Sequence, residues 1–215
     1  MALLDTLAYL FPVPCAGCGR EGRALCRVCA PGLTPAVMTT MLAGVGRLTA
    51  GLPYDAVARS SILALKEEGR SGLATALAVP FAAAVSAAPA DGAQLVAIPS
   101  SRAARRRRGF EPVRLLASRA GIRLSPLFLP ASPHAVQKGL GVADRVRNLD
   151  GVFALGCPVA GIRVLLLDDV VTTGATLAAA AAVLRAGGAE VAGAAVLAAT
   201  PRRDGRSVGM LSNPV

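Results

Sequence analysis

Val164 to Thr176 reads VLLLDDVVTTGAT. An apolar run without alternation leads into two acids, which predicts a strand over Arg163 to Leu167 that is buried on both faces and ends at Asp168 and Asp169. A turn of small and hydroxyl residues then opens a helix predicted for Ala175 to Ala186, which Gly187 and Gly188 end. Val191 to Ala199 reads as the next strand. Together the three elements form a βαβ unit of ordinary length.

The same alternation extends toward the N-terminus. Ala56 to Leu65 and Gly72 to Val85 read as helices, and Gln94 to Ile98 as a short strand stopped by Pro99. Pro112 to Ala120 reads as a helix with Gly121 in the C-cap position. Strands alternating with helices predict an α/β fold with a parallel sheet flanked by helices. Composition divides the chain into four segments: a cysteine-bearing module over residues 1–33, a connector over 34–52, the main α/β domain over 53–200 and a flexible tail over 201–215. Leu3, Leu4, Leu7, Leu10 and Phe11 recur at helical spacing, as in a short amphipathic helix. This start has no basic n-region and carries Asp5, so it does not read as a signal peptide. The charge-free stretch Ser71 to Ala90 is alanine-rich and broken by Pro80 and Pro89, which favours a buried globular helix over a membrane span. A soluble, cytoplasmic protein is the expectation.

The chemistry concentrates where the acids meet the turn. Backbone N–H groups at a helix start lack intrahelical partners and point outward, so a phosphate fits there. Gly174 lets the backbone approach closely, and the hydroxyls of Thr172, Thr173 and Thr176 add donors, with Ala175 completing the turn. Asp168 and Asp169 would repel that phosphate; they suit the vicinal hydroxyls of a sugar, or a Mg²⁺ ion shared with them. A phosphate at one end and a diol nearby describe ribose 5-phosphate. The plain alternative is a buried strand followed by an ordinary helix, its acids merely solvated. GxxxxGK[ST] is absent and no GxGxxG follows a strand, which disfavours a P-loop kinase or GTPase and a dinucleotide fold.

A second anion site is expected in LVAIPSSRAARRRRGFEP, Leu95 to Pro112. A strand ends at Pro99 and a loop follows with Ser100, Ser101, Arg102 and the run Arg105 to Arg108. Such a run is often a solvated surface, but guanidinium groups at a ligand edge grip a pyrophosphate bidentately. The net charge of +10 favours anionic partners in general, single-stranded nucleic acid among them, without choosing one.

Cys15-Ala-Gly-Cys18 and Cys26-Arg-Val-Cys29 form two C-x₂-C knuckles. Four thiolates so spaced can surround a structural Zn²⁺ with no open coordination position. Disulfides are the alternative, and nothing in the sequence marks an exported protein. Cys157 reads as an ordinary small apolar residue.

Taken together, the chain resembles the ComF family of competence-associated, phosphoribosyltransferase-like proteins. The likeness runs from Leu3 to Thr200 through the cysteine knuckles, Tyr54 with ALKEEG around Lys66, IPSSRAARRRRGF, QKGLGVADRVRNLDGVF from Gln137 to Phe153, and the Val164 to Thr176 string. It implies a type I phosphoribosyltransferase-like sheet with a small N-terminal four-cysteine module resembling a zinc ribbon. It also implies phosphoribosyl pyrophosphate (PRPP) with Mg²⁺ as ligand. In such a protein Asp168 and Asp169 would hold the ribose hydroxyls, and Thr172 to Thr176 the 5-phosphate. Ser100, Ser101 and Arg102 would meet pyrophosphate, and Gln137, Arg145 and Asn148 would lie on a mobile covering loop. The implied activity is phosphoribosyl transfer to a nitrogen acceptor, linked to the DNA-uptake machinery. A non-catalytic factor binding single-stranded DNA is the alternative. Glu111 stands where the family usually has Asn, and ASPHAVQ (Ala131 to Gln137) lacks the usual Arg and Thr. His134, the sole histidine, is read as a surface residue rather than a general base.

Overall fold

The computed structural model describes residues 13–129 and 153–200. The expected N-terminal helix at Leu3 to Phe11, His134, the covering-loop residues Gln137, Arg145 and Asn148, and the tail at 201–215 lie outside the described residues. The strands are β1 (Met38–Leu42), β2 (Gly46–Pro53), β3 (Gln94–Ala97), β4 (Arg163–Val171) and β5 (Glu190–Ala199). The α-helices are α1 (Ala56–Glu67), α2 (Ala74–Ala87), α3 (Arg102–Arg108), α4 (Pro112–Arg119) and α5 (Ala175–Ala186).

One five-stranded sheet runs in the order β1-β2-β5-β4-β3. β2, β5, β4 and β3 are mutually parallel, and only β1 runs antiparallel, to β2. Residues 34–52, expected as a connector, therefore supply a hairpin whose second strand is built into the parallel sheet. This corrects the reading of that stretch: β2 is a near-continuous buried run from Leu48 to Leu52, as a strand covered on both faces should be.

Helices cover both faces. Val164 and Leu166 of β4 pack with Leu177, Ala180 and Leu184 of α5. The alternate residues Leu165 and Leu167 pack with Ile62 of α1, Phe81 of α2 and Leu116 of α4. The alternation of side chains across a strand thus feeds two cores, and burying each such leucine contributes about 1.5–3 kcal/mol. α2 contains Pro80, whose carbonyl lies against Gly51 of β2 so closely that no Cβ would fit between them. The stretch from Ser71 to Ala90 is accordingly a buried helix, as expected, and no helix among the described residues is long and apolar enough to cross a membrane.

Two further expectations are corrected. β4 does not stop at Leu167; it continues through both acids to Val171, because Asp168, Val170 and Val171 stay in register with Val196, Ala198 and Ala199 of β5. The arginine run is not a loop. Ser101 caps a helix by accepting from the Ala104 N–H (3.2 Å), and Gly109 closes it at φ +75°.

Candidate functional site

Because β4 continues past its acids, the two carboxylates project to opposite faces of the sheet. Asp168 falls on the α5 side and lines a cleft with residues 170–177. That cleft holds about 40 Å³, room for roughly three water-sized groups and so for one phosphate. Asp169 is buried on the other side, where its Oδ1 accepts from Lys66 Nζ of α1 at 3.0 Å. Its backbone N–H donates to Asp168 Oδ1 at 2.8 Å, so the two residues remain tied to each other. Burial first, and then the Asp169 carboxylate, push the Asp168 carboxyl up to about 7, against the opposing pull of the Asp169 N–H and Lys66.

The turn has the expected shape. Gly174 adopts φ +82°, left-handed, and α5 starts at the next residue. Thr173 Oγ1 accepts from the Ala175 N–H at 3.4 Å, while Thr172 and Thr176 are exposed around the cleft. Gly174 itself is buried, because Leu42 of β1 presses against it; a Cβ there would lie 2.8 Å from Leu42 Cδ2. Arg185, in the last turn of α5, donates to the carbonyls of Gly44 and Val45 and fastens the hairpin to this helix. The hairpin thus forms the floor of the turn.

On the neighbouring strand, the Ile98 N–H donates to the Leu167 carbonyl at 2.9 Å, which carries Pro99 and Ser100 past the edge beside the acids. Ser100 is half-buried, Ser101 is exposed at the helix cap, and Arg102 is the first residue of α3. The four adjacent arginines divide. Arg107 and Arg108 reach Glu67 of α1 at 2.7 and 3.4 Å, whereas Arg105 and Arg106 are exposed. Lys66 and Glu67 were not singled out from the sequence as site residues, yet they join α1 to Asp169 of β4 and to Arg107 and Arg108 of α3. The available signal was Lys66 itself, one of two lysines in a chain whose other cations are all arginine.

At the other end of α1 the cysteine module is held by close packing. Cys15, Cys18, Cys26 and Cys29 are all free thiols, and their Sγ atoms lie within 4.8 Å of one another. The disulfide alternative is not formed: Cys18 and Cys26 Sγ stand 3.7 Å apart. That spacing suits four sulfurs about 2.3 Å from a common centre. The donor set fits Zn²⁺ further, because backbone N–H groups of Gly17 and Cys26 donate to Cys15 Sγ at 3.4 and 3.3 Å, as a metal-bound thiolate requires. Burial works to raise the Cys15 thiol, but the backbone donors of Cys26, Cys18 and Gly17 outweigh it and bring it down to about 6. Cys29 goes the other way, pushed up to about 12 by burial and by the neighbouring thiols. Gly17 is required here, since a Cβ would lie 2.7 Å from Cys29 Sγ. Arg70 donates to the carbonyls of Pro14 and Ala24 and secures the module. Cys157 is exposed rather than packed among apolar residues.

No curated protein matches the chain. Residues 154–210, which span β4, the threonine turn, α5 and β5, match the family model of the phosphoribosyl transferase domain, and the cleft lies inside the matched segment.

Proposed function

We propose that this chain is a PRPP-binding phosphoribosyltransferase-like protein of the ComF type, acting on an anionic ribose ligand at the β4–α5 turn and linked to DNA uptake. One observation carries the reading: the Asp168 carboxylate lines the same phosphate-sized cleft as the helix-start turn from Thr172 to Thr176. The 5-phosphate would sit on that turn. Asp168 would accept from a ribose hydroxyl, and Asp169, which faces α1 in this structure, would meet the second by leaving Lys66 and turning toward the cleft. Ser100, Ser101 and Arg102 would meet the pyrophosphate from the edge of β3. Mg²⁺ bound with the ligand would supply charge neutralisation at the pyrophosphate, where the hard oxygens of the acids suit it. In transfer, the bond from C1 to the pyrophosphate oxygen breaks with its electron pair leaving on pyrophosphate. A nitrogen acceptor then bonds to C1 and gives up a proton. The protein's part is to align the acceptor and stabilise the separating charge. The domain division proposed with it is a four-cysteine, zinc-ribbon-like module at residues 1–33 and a phosphoribosyltransferase-like unit reaching to residue 200. The exposed Arg102, Arg105 and Arg106 of α3 support contact with an anionic strand such as single-stranded DNA.

Calorimetric titration of PRPP with Mg²⁺ tests the assignment. Asp168→Asn removes the charge from one hydrogen bond to the diol, so affinity is expected to fall roughly tenfold to a hundredfold. Equal affinity in wild type and variant would remove Asp168 from the site.

A further inference from the structure

We propose that Lys66 is a pyrophosphate-binding residue held in reserve by Asp169, passing from the carboxylate to the ligand as the ribose diol takes its place. The inference rests on the PRPP reading and deepens it. Lys66 Nζ lies 3.0 Å from Asp169 Oδ1, and among the described residues it is the one cation in an ion pair with either acid. The pair is not sealed in the core: the side chains are 22% and 12% exposed, enough for the ammonium to leave without unpacking α1. Its neighbour Glu67 binds Arg107 and Arg108, so the last turn of α1, joined to Asp169 by Lys66, is also tied to the C-terminal end of α3. The Ala97–Leu167 register and the Ile98 N–H on the Leu167 carbonyl carry the chain at Pro99 out beside Asp169, so the ammonium stands between the carboxylate it holds now and the edge where the Pro99–Arg102 loop would receive an anion.

Competition decides between them. A diol accepted by Asp169 displaces Lys66, and a half-buried ammonium without a counter-ion is costly. The pyrophosphate of the same ligand restores a partner, so the two exchanges favour each other. Lysine suits the transfer better than arginine because its three donors rotate on a four-carbon stem, whereas a guanidinium fork is fixed in one plane. The choice is pointed in a chain that otherwise uses arginine almost throughout.

The test compares two ligands on one variant. Wild type and Lys66→Met are titrated with PRPP and with ribose 5-phosphate, each with Mg²⁺, and folding is checked by circular dichroism. Lys66→Met is expected to weaken PRPP binding about tenfold to a hundredfold, the effect of one charge-assisted hydrogen bond, without weakening ribose 5-phosphate binding. Lys66→Arg should restore part of the loss. Lys66→Gln, which keeps a donor at similar length, replaces Lys66→Met if the latter does not fold. An equal loss for both ligands would make Lys66 a structural counter-ion only, and unchanged PRPP affinity would remove it from binding; either result overturns the proposal. Wild type that binds neither ligand overturns the PRPP reading itself.

Discussion

Gly174→Ala tests whether the threonine turn is shaped by the hairpin beneath it. Alanine at φ +82° must adopt the left-handed region, which costs about 1–2 kcal/mol. Its Cβ would also lie 2.8 Å from Leu42 Cδ2 and 3.1 Å from Cγ. Leu42 is itself buried and has little room to turn aside, so overpacking adds about 1–3 kcal/mol. The sum is about 2–5 kcal/mol, a large part of the roughly 5–15 kcal/mol that stabilises a domain. Urea unfolding followed by far-ultraviolet circular dichroism reads it as a lower midpoint at unchanged slope. The two causes separate in a double-mutant cycle. Leu42→Ala alone leaves a cavity and costs about 2–5 kcal/mol, but it also makes room for the new methyl. In that background Gly174→Ala should retain only the conformational cost, giving a coupling equal to the relieved overpacking, about 1–3 kcal/mol. Additivity within about 0.5 kcal/mol, or a single variant as stable as wild type, would refute the contact between hairpin and turn.

Two further outcomes follow from the ionisable groups. The folded state holds the Asp168 proton up to about 7, whereas the unfolded chain loses it near 3.8. Between those values the native state binds more protons, so this group's contribution to stability falls as pH rises. Asp168→Asn, whose amide oxygen still accepts from the Asp169 N–H, should flatten that slope and be more stable relative to wild type at about pH 8 than at about pH 4; thermal melts across that range with identical slopes would refute the shift. For the cysteine module, elemental analysis of the purified protein should find one zinc per chain. Cys29→Ser should lose the metal and lower the melting temperature by roughly 5–15 °C; metal-free wild type with full stability would exclude a structural zinc.

The parts of the fold that were legible from sequence are those whose signal is local. β4, the turn and α5 announce themselves through an unbroken apolar run, hydroxyl residues around one glycine, and a glycine pair at the helix end. α3 was missed because seven residues dominated by arginine show no apolar period, although Ser101 and Gly109 bound them as caps should. β1 and β2 were missed because glycines and the lack of charge resemble a linker, while β2 is stabilised by pairing with β5, far along the chain. The strand's continuation through Asp168 and Asp169 had a signal in the β-branched Val170 and Val171, which the acids obscured. No local pattern could join Lys66 to Asp169, since the helix and strand that bring them together meet only in the folded sheet.

The contact between Leu42 and Gly174 also sets an order of events. During synthesis the hairpin emerges long before the turn it supports, and β2 has no parallel neighbour until β5 is made. Until then the edge of β2 that β5 will pair is unsatisfied, and Leu48 and Ala50, on the face that α5 covers, are without that cover. The floor of the cleft is therefore the last part of the molecule to close, completed by a union of distant segments of the kind that makes folding slow. A nascent chain halted before β5 would hold every residue of the threonine turn and still lack the bed on which that turn rests.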